Sequence, residues 1–120
     1  MPPKHILEPD EIPQDVLIDL EGIRKVNAQR FEMEQLTAIT LIDPERRIIA
    51  GYKDVTDQEF WVRGHMPGFP LMPGVIICEA CAQLCSFYCW HCQLITDGFV
   101  GFGGLDDVRF RGVVRPGQRL

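Results

Sequence analysis

Three prolines spaced three apart, Pro67, Pro70 and Pro73, give way at Gly74 to an unbroken run of helix formers and apolar side chains that reaches about Leu94. Each proline removes a backbone donor and fixes φ, so this stretch can be neither regular helix nor a central strand. It predicts a stiff loop. The run that follows predicts a helix roughly 30 Å long at 1.5 Å per residue. Because that helix is apolar nearly all round, it should be buried, with a sheet wrapped about it. The same boundary holds two proton carriers, His65 in the loop and Glu79, 14 positions later, in the helix. An imidazole and a carboxylate fixed by two stiff elements in partly apolar surroundings suit acid–base chemistry on an apolar substrate.

The flanking sequence supplies the other elements. Asp10 to Asp15, followed by Val16, Leu17, Ile18 and Leu20, predicts a short N-terminal helix with acidic residues in its first turn. Glu34 to Asp43 and Arg47 to Val55, separated by the turn signal Asp43-Pro44-Glu45-Arg46, predict a hairpin. Asp57 to Trp61 suits one helical turn, Phe99 to Val114, with Gly101, Gly103 and Gly104 inside it, an extended, bent strand, and Arg115-Pro116-Gly117-Gln118 a turn. With 120 residues and no repeat, linker or low-complexity tract, one domain spanning residues 1–120 is expected.

All five cysteines fall between Cys78 and Cys92 at steps of 3, 4, 4 and 3, one stripe on a helix. Thiols strung along one helix cannot converge tetrahedrally on a zinc ion. Cys78 and Cys81 lack the strand pattern that would flank a redox pair, and an odd cluster does not suit a disulfide framework. Small, soft residues packing a buried helix face is the simpler expectation. Net charge is −5, with seven basic and thirteen acidic side chains in residues 1–60 against five and four in residues 61–120. A nucleic-acid binder would show a basic face. No apolar run reaches the roughly 20 residues of a membrane span, and the N-terminus lacks an apolar signal core, so a soluble, cytoplasmic protein is expected.

Gly64-His65-Met66-Pro67-Gly68-x-Pro70-x-Met72-Pro73-Gly74-Val75, followed by Glu79-Ala80-x-Ala82-Gln83, resembles the signature of the 3-hydroxyacyl-acyl-carrier-protein dehydratases of fatty acid synthesis. The likeness continues through Arg109-Phe110 and Val114 to Gln118, more weakly through Lys53 to Phe60, and covers roughly residues 47–120. It implies an α+β hotdog fold, a curved antiparallel β-sheet wrapped around one long central α-helix. It further implies a homodimer or a trimer of dimers, in which His65 and Glu79 act together from opposite subunits. Acyl carrier protein would be the partner, its phosphopantetheine arm carrying the substrate, with no separate cofactor and no metal.

The chemistry fits these positions. Eliminating water from a 3-hydroxyacyl thioester needs a base for the C2 proton, and imidazole suits neutral pH. It also needs an acid for the departing hydroxyl, and desolvation among Val, Ile, Ala and Cys would favour the uncharged form of Glu79. Gly74 leaves amide donors at the positive end of the helix dipole, able to polarise the thioester carbonyl, and Gln83, one turn beyond Glu79, can orient the carboxylate or a water. Arg109 and Arg111, in the half of the chain that is not acidic, are expected to dock the acidic carrier. Phe87, Tyr88 and Trp90 should pack the helix and a dimer contact, and His91 should be structural.

Three departures from the family stand out. Asn27-Ala28-Gln29-Arg30-Phe31 replaces a Pro-His-Arg-aromatic segment, which bears on the channel entrance and acyl preference. Met66 replaces an aromatic. The family also continues through further strands beyond the position of Leu120, so either the sequence is a fragment or the sheet is completed differently. A hotdog thioesterase, with a carboxylate activating water, and a noncatalytic acyl-binding protein are the competing functions. The paired His65 and Glu79, with the full proline loop, speak against the thioesterase.

Overall fold

The computed structural model describes residues 4–120. Its framework is the expected hairpin. Strand β1 (Ala38–Asp43) pairs antiparallel with β2 (Ile48–Tyr52), Ala38 opposite Tyr52 and Asp43 opposite Ile48. The turn closes where Asp43 Oδ1 accepts from the Arg46 amide at 3.1 Å and Arg47 takes a left-handed φ of 57°. Beyond β2 the pairing continues with the end of the chain. Lys53 and Leu120 exchange both backbone bonds at 2.9 Å, and Arg119 clamps Asp54 with two hydrogen bonds of 2.6 and 3.0 Å. The turn before it, with Gly117 at φ +93°, lies where the sequence predicts one.

Helix α2 (Gly74–His91) packs against β2. Gly51 permits the approach, because a side chain there would sit 2.5 Å from the Ala38 carbonyl and 3.3 Å from Leu84. Ile23, Leu36, Ile39 and Phe87 form one buried cluster beneath the hairpin. Val55, Trp61 and Met72 form a second, backed by Ile76, Ile77 and Val114, at the foot of the proline-rich loop. Burying side chains of this size stabilises by about 1.5–3 kcal/mol each.

Four expectations need correction. Helix α2 is not covered all round: Ala80, Gln83 and Phe87 are buried, while Val75 is 74% exposed and Cys81 and Cys85 face outward. The cysteine stripe therefore lies outside both core clusters, with Cys78, Cys89 and Cys92 half-buried and Cys81 and Cys85 exposed. The N-terminal helix forms later and shorter than predicted, as α1 (Leu20–Arg24), capped by Asp19 accepting from the Gly22 amide at 2.9 Å. Ile18 instead pairs with Ile39, and this strand-like contact overrides the local helix signal, leaving only a 3-10 turn at Pro9–Glu11. Residues 57–61 make turns without a helix. Finally, residues 99–113 form no strand: the backbone is irregular, with bends at Gly112 and at Asp107, whose φ is +55°, and Gly101, Gly103 and Gly104 offer no side chains to pack across a ladder.

Candidate active site

The loop is closed upon itself. The His65 amide donates to the Trp61 carbonyl at 2.8 Å, and Trp61 is buried in the second core cluster. The Leu71 amide donates back to the His65 carbonyl at 2.8 Å, and Met66 and Phe69 exchange bonds across the tip, where Gly68 has φ +77°. His65 Nδ1 lies 2.8 Å from the Leu71 carbonyl oxygen. A carbonyl can only accept, so Nδ1 carries the proton in neutral imidazole and Nε2 keeps a free lone pair. The ring itself is exposed, with its orientation fixed by the loop that carries it.

An ion pair braces the base of this loop. Lys53 Nζ lies 3.0 Å from Glu59 Oε1, both side chains nearly buried, and the Thr56 amide and hydroxyl donate to Glu59 Oε2 at 3.0 and 2.9 Å. Burial pushes the Glu59 carboxyl up, but the Lys53 and Thr56 hydrogen bonds together with the Lys53 charge outweigh it and hold it below its usual range. Sequence reading gave these residues only a weak family likeness. Their role depends on the fold bringing Lys53 over Glu59.

Glu79 stands elsewhere, in the wall of a cavity of about 330 Å³. One side of the cavity is α2, with Cys78, Cys81, Cys85 and Cys89; the other is the unpaired stretch from Val100 to Leu105. Apolar surface predominates, and Glu79, Gln83 and Gln29 supply polar groups. Glu79 is half-buried in a single chain, not enclosed as the helix composition predicts. Gln83 Nε2 donates to Glu79 Oε1 at 2.9 Å and to the Met33 carbonyl at 2.6 Å, while its Oε1 accepts from the Gln35 amide at 2.9 Å. Gln83 is 3% exposed, so its side-chain amide is a fixed spacer between the carboxylate and the segment before β1.

The structure thus brings Glu79 and Gln83 together and leaves His65 outside the walls of their cavity. Gly74 begins α2 at the loop's end, and Phe110 lies so near that a side chain at Gly74 would come within 2.7 Å of its ring. Arg109 pairs with Asp107 at 2.7 Å, both exposed, and Arg111 is exposed beside it. Arg115 instead lies 4.6 Å from the Phe69 ring centre, bracing the loop tip. Phe87 is buried and stacks on His91 at 5.3 Å. Gln29 and Asn27 were legible only as departures from a family pattern, with no sign that they would lie beside Gln83. Among the described residues no group of three or more His, Cys, Asp or Glu side chains is placed to hold a metal ion, and no helix is long and apolar enough to cross a membrane.

Residues 27–120 match the model of the FabA-like domain. The chain is 36% identical over 105 residues to a 3-hydroxyacyl-acyl-carrier-protein dehydratase FabZ of Polynucleobacter necessarius, covering 88% of this chain and 70% of that protein. The protein of the same name from Desulfotalea psychrophila is 37% identical over 105 residues, covering 86% and 69%. That from Clostridioides difficile is 35% identical over 104 residues, covering 87% and 72%.

Proposed function

The chain belongs to the FabA-like domain family, and from that premise we propose that it dehydrates 3-hydroxyacyl-acyl-carrier-protein to the trans-2-enoyl form in fatty acid synthesis. Its fold is the hotdog of that family, with α2 as the long helix against the antiparallel sheet. One observation carries the mechanism: His65 Nδ1 is committed to the Leu71 carbonyl, which leaves Nε2 as a base of fixed direction. Nε2 takes the C2 proton of the substrate. The electron pair of the broken C–H bond forms the C2–C3 double bond, the C3–O bond breaks, and the hydroxyl leaves as water with a proton from Glu79. The Gly74 amide at the head of α2 faces the developing charge on the thioester oxygen, and Gln83 holds the carboxylate in place. The reverse hydration uses the same groups.

The pair works between two copies of the chain. His65 is absent from the cavity that Glu79 lines, and α2 presents an uncovered face with Val75 exposed. A second copy would bring its His65 to that cavity and complete the desolvation of Glu79. Arg109 and Arg111, both exposed, supply positive charge for an acidic carrier.

Incubating the protein with a 3-hydroxyacyl thioester while following enoyl absorbance and free thiol tests the reaction. Enoyl formation without thiol release is expected, and its loss in both His65→Ala and Glu79→Gln. Thiol release would point to a thioesterase, and full activity in either variant would remove that residue from the mechanism.

A further inference from the structure

Beside Gln83 lies a small, partly open cavity of about 10 Å³, walled by Asn27, Gln29 and Gln83, by the Arg24–Glu34 ion pair, and by Leu20, Ile23 and Leu36. That is the space of one water. Gln29 and Gln83 also line the larger cavity, so these two side chains divide the small one from the place where Glu79 meets substrate. Asn27 is 5% exposed, and its Nδ2 donates to the Gln83 carbonyl at 2.9 Å. Its Oδ1 is buried with no donor, and so is Gln29 Oε1. Leaving such an acceptor unpaired in the interior is costly, because it gives up its bond to water and gains none. The turn that carries both residues is not free to move them into solvent. Arg30 fixes it by donating to the carbonyls of Arg24, Asn27 and Gln29 at 2.7 to 2.8 Å.

Two orphan acceptors around a void of this size call for a neutral ligand with two donors and little bulk. We propose that the cavity binds one water molecule, donating to Asn27 Oδ1 and Gln29 Oε1. Through Asn27 and Gln83 this water positions the Glu79 carboxyl, a role that rests on the dehydratase reading above. The polar chain runs from the water to Asn27, from Asn27 Nδ2 to the Gln83 carbonyl, and from Gln83 Nε2 to Glu79 Oε1. Gln29 also borders the larger cavity, but on this account it acts on the reaction through the water, as a positioning residue.

A crystal structure of the whole chain at a resolution that shows ordered solvent, together with kinetics of Gln29→Met, tests the proposal. Methionine keeps the length of the side chain and removes the acceptor. The wild type is expected to show one water within hydrogen-bond distance of both oxygens. The variant is expected to lose that water and about tenfold in kcat, with KM unchanged. An empty or apolar-filled cavity in the wild type would overturn the water site irrespective of any variant. Unchanged kcat would overturn the positioning role, and so would a rise in KM alone, which would make Gln29 a substrate contact. If the wild type forms no enoyl product, the dehydratase reading fails, while the solvent density still decides the water site.

Discussion

His65 is held by bonds to residues no more than six positions away, through the Trp61 and Leu71 backbones. Glu79 is held by Gln83, which is itself held by Met33, Gln35 and Asn27, 48 to 56 positions distant. The first arrangement is a closed local loop. The second exists only once the segment before β1 has docked on α2. Loss of tertiary packing should therefore scatter the carboxylate side of the site before it disturbs the geometry of the histidine.

Breaking the distant side should cost most. Gln83→Leu leaves the buried Gln35 amide without a partner, at about 1–3 kcal/mol, removes the bond to the Met33 carbonyl, and frees the Glu79 carboxylate. Denaturant unfolding should show the stability loss, and kcat should fall about tenfold or more. A variant with unchanged stability would mean that the Gln83 network is not the anchor it appears in the fold.

The brace beneath the histidine loop should respond more weakly and with a pH signature. Glu59 and Glu34 are both held below the ordinary value of 4.5, Glu34 first by its hydrogen bond from Arg24 and Glu59 by Lys53 and Thr56 against burial. A depressed carboxyl contributes stability that is present above its unfolded value and lost as pH falls through its folded one. Wild-type melting temperature should accordingly drop as pH is lowered below about 4.5. Glu59→Gln should melt lower at pH 7 and lose less on acidification. Equal slopes for the two proteins would show that this carboxylate does not contribute to the acid limb.

Smallest is the effect expected at the rim. Arg109→Glu with Arg111→Glu should raise KM for carrier-bound substrate a few-fold at low salt, and the difference should fade as ionic strength screens it. Arg109 already pairs with Asp107, which limits the effect. An equal change on a substrate lacking the carrier would show that the arginines act on the chain's own structure instead.

The same contrast explains what the sequence made legible. Proline spacing, the Asp43 turn and the start of α2 at Gly74 are decided by backbone constraints within a few residues, and they lie where the sequence predicts. The helix predicted near Asp10 yielded to a bridge between Ile18 and Ile39, a contact with no local trace. Burial of α2 was overestimated because composition reports what a helix tolerates and not which neighbours cover it; Cys81 and Cys85 are the residues that show it. Gln83 was readable as a neighbour of Glu79 one turn on, but its ties to Met33, Gln35 and Asn27 were not.

The claim that the pair is completed between copies is tested most directly by mixing His65→Ala with Glu79→Gln, each inactive alone. A mixed dimer contains one site with both residues intact, so co-refolded variants should recover roughly a quarter of wild-type activity, half of the dimers being mixed and one site in each restored. No recovery, with mixed dimers verified by native mass spectrometry, would place His65 and Glu79 in the same chain or outside the reaction.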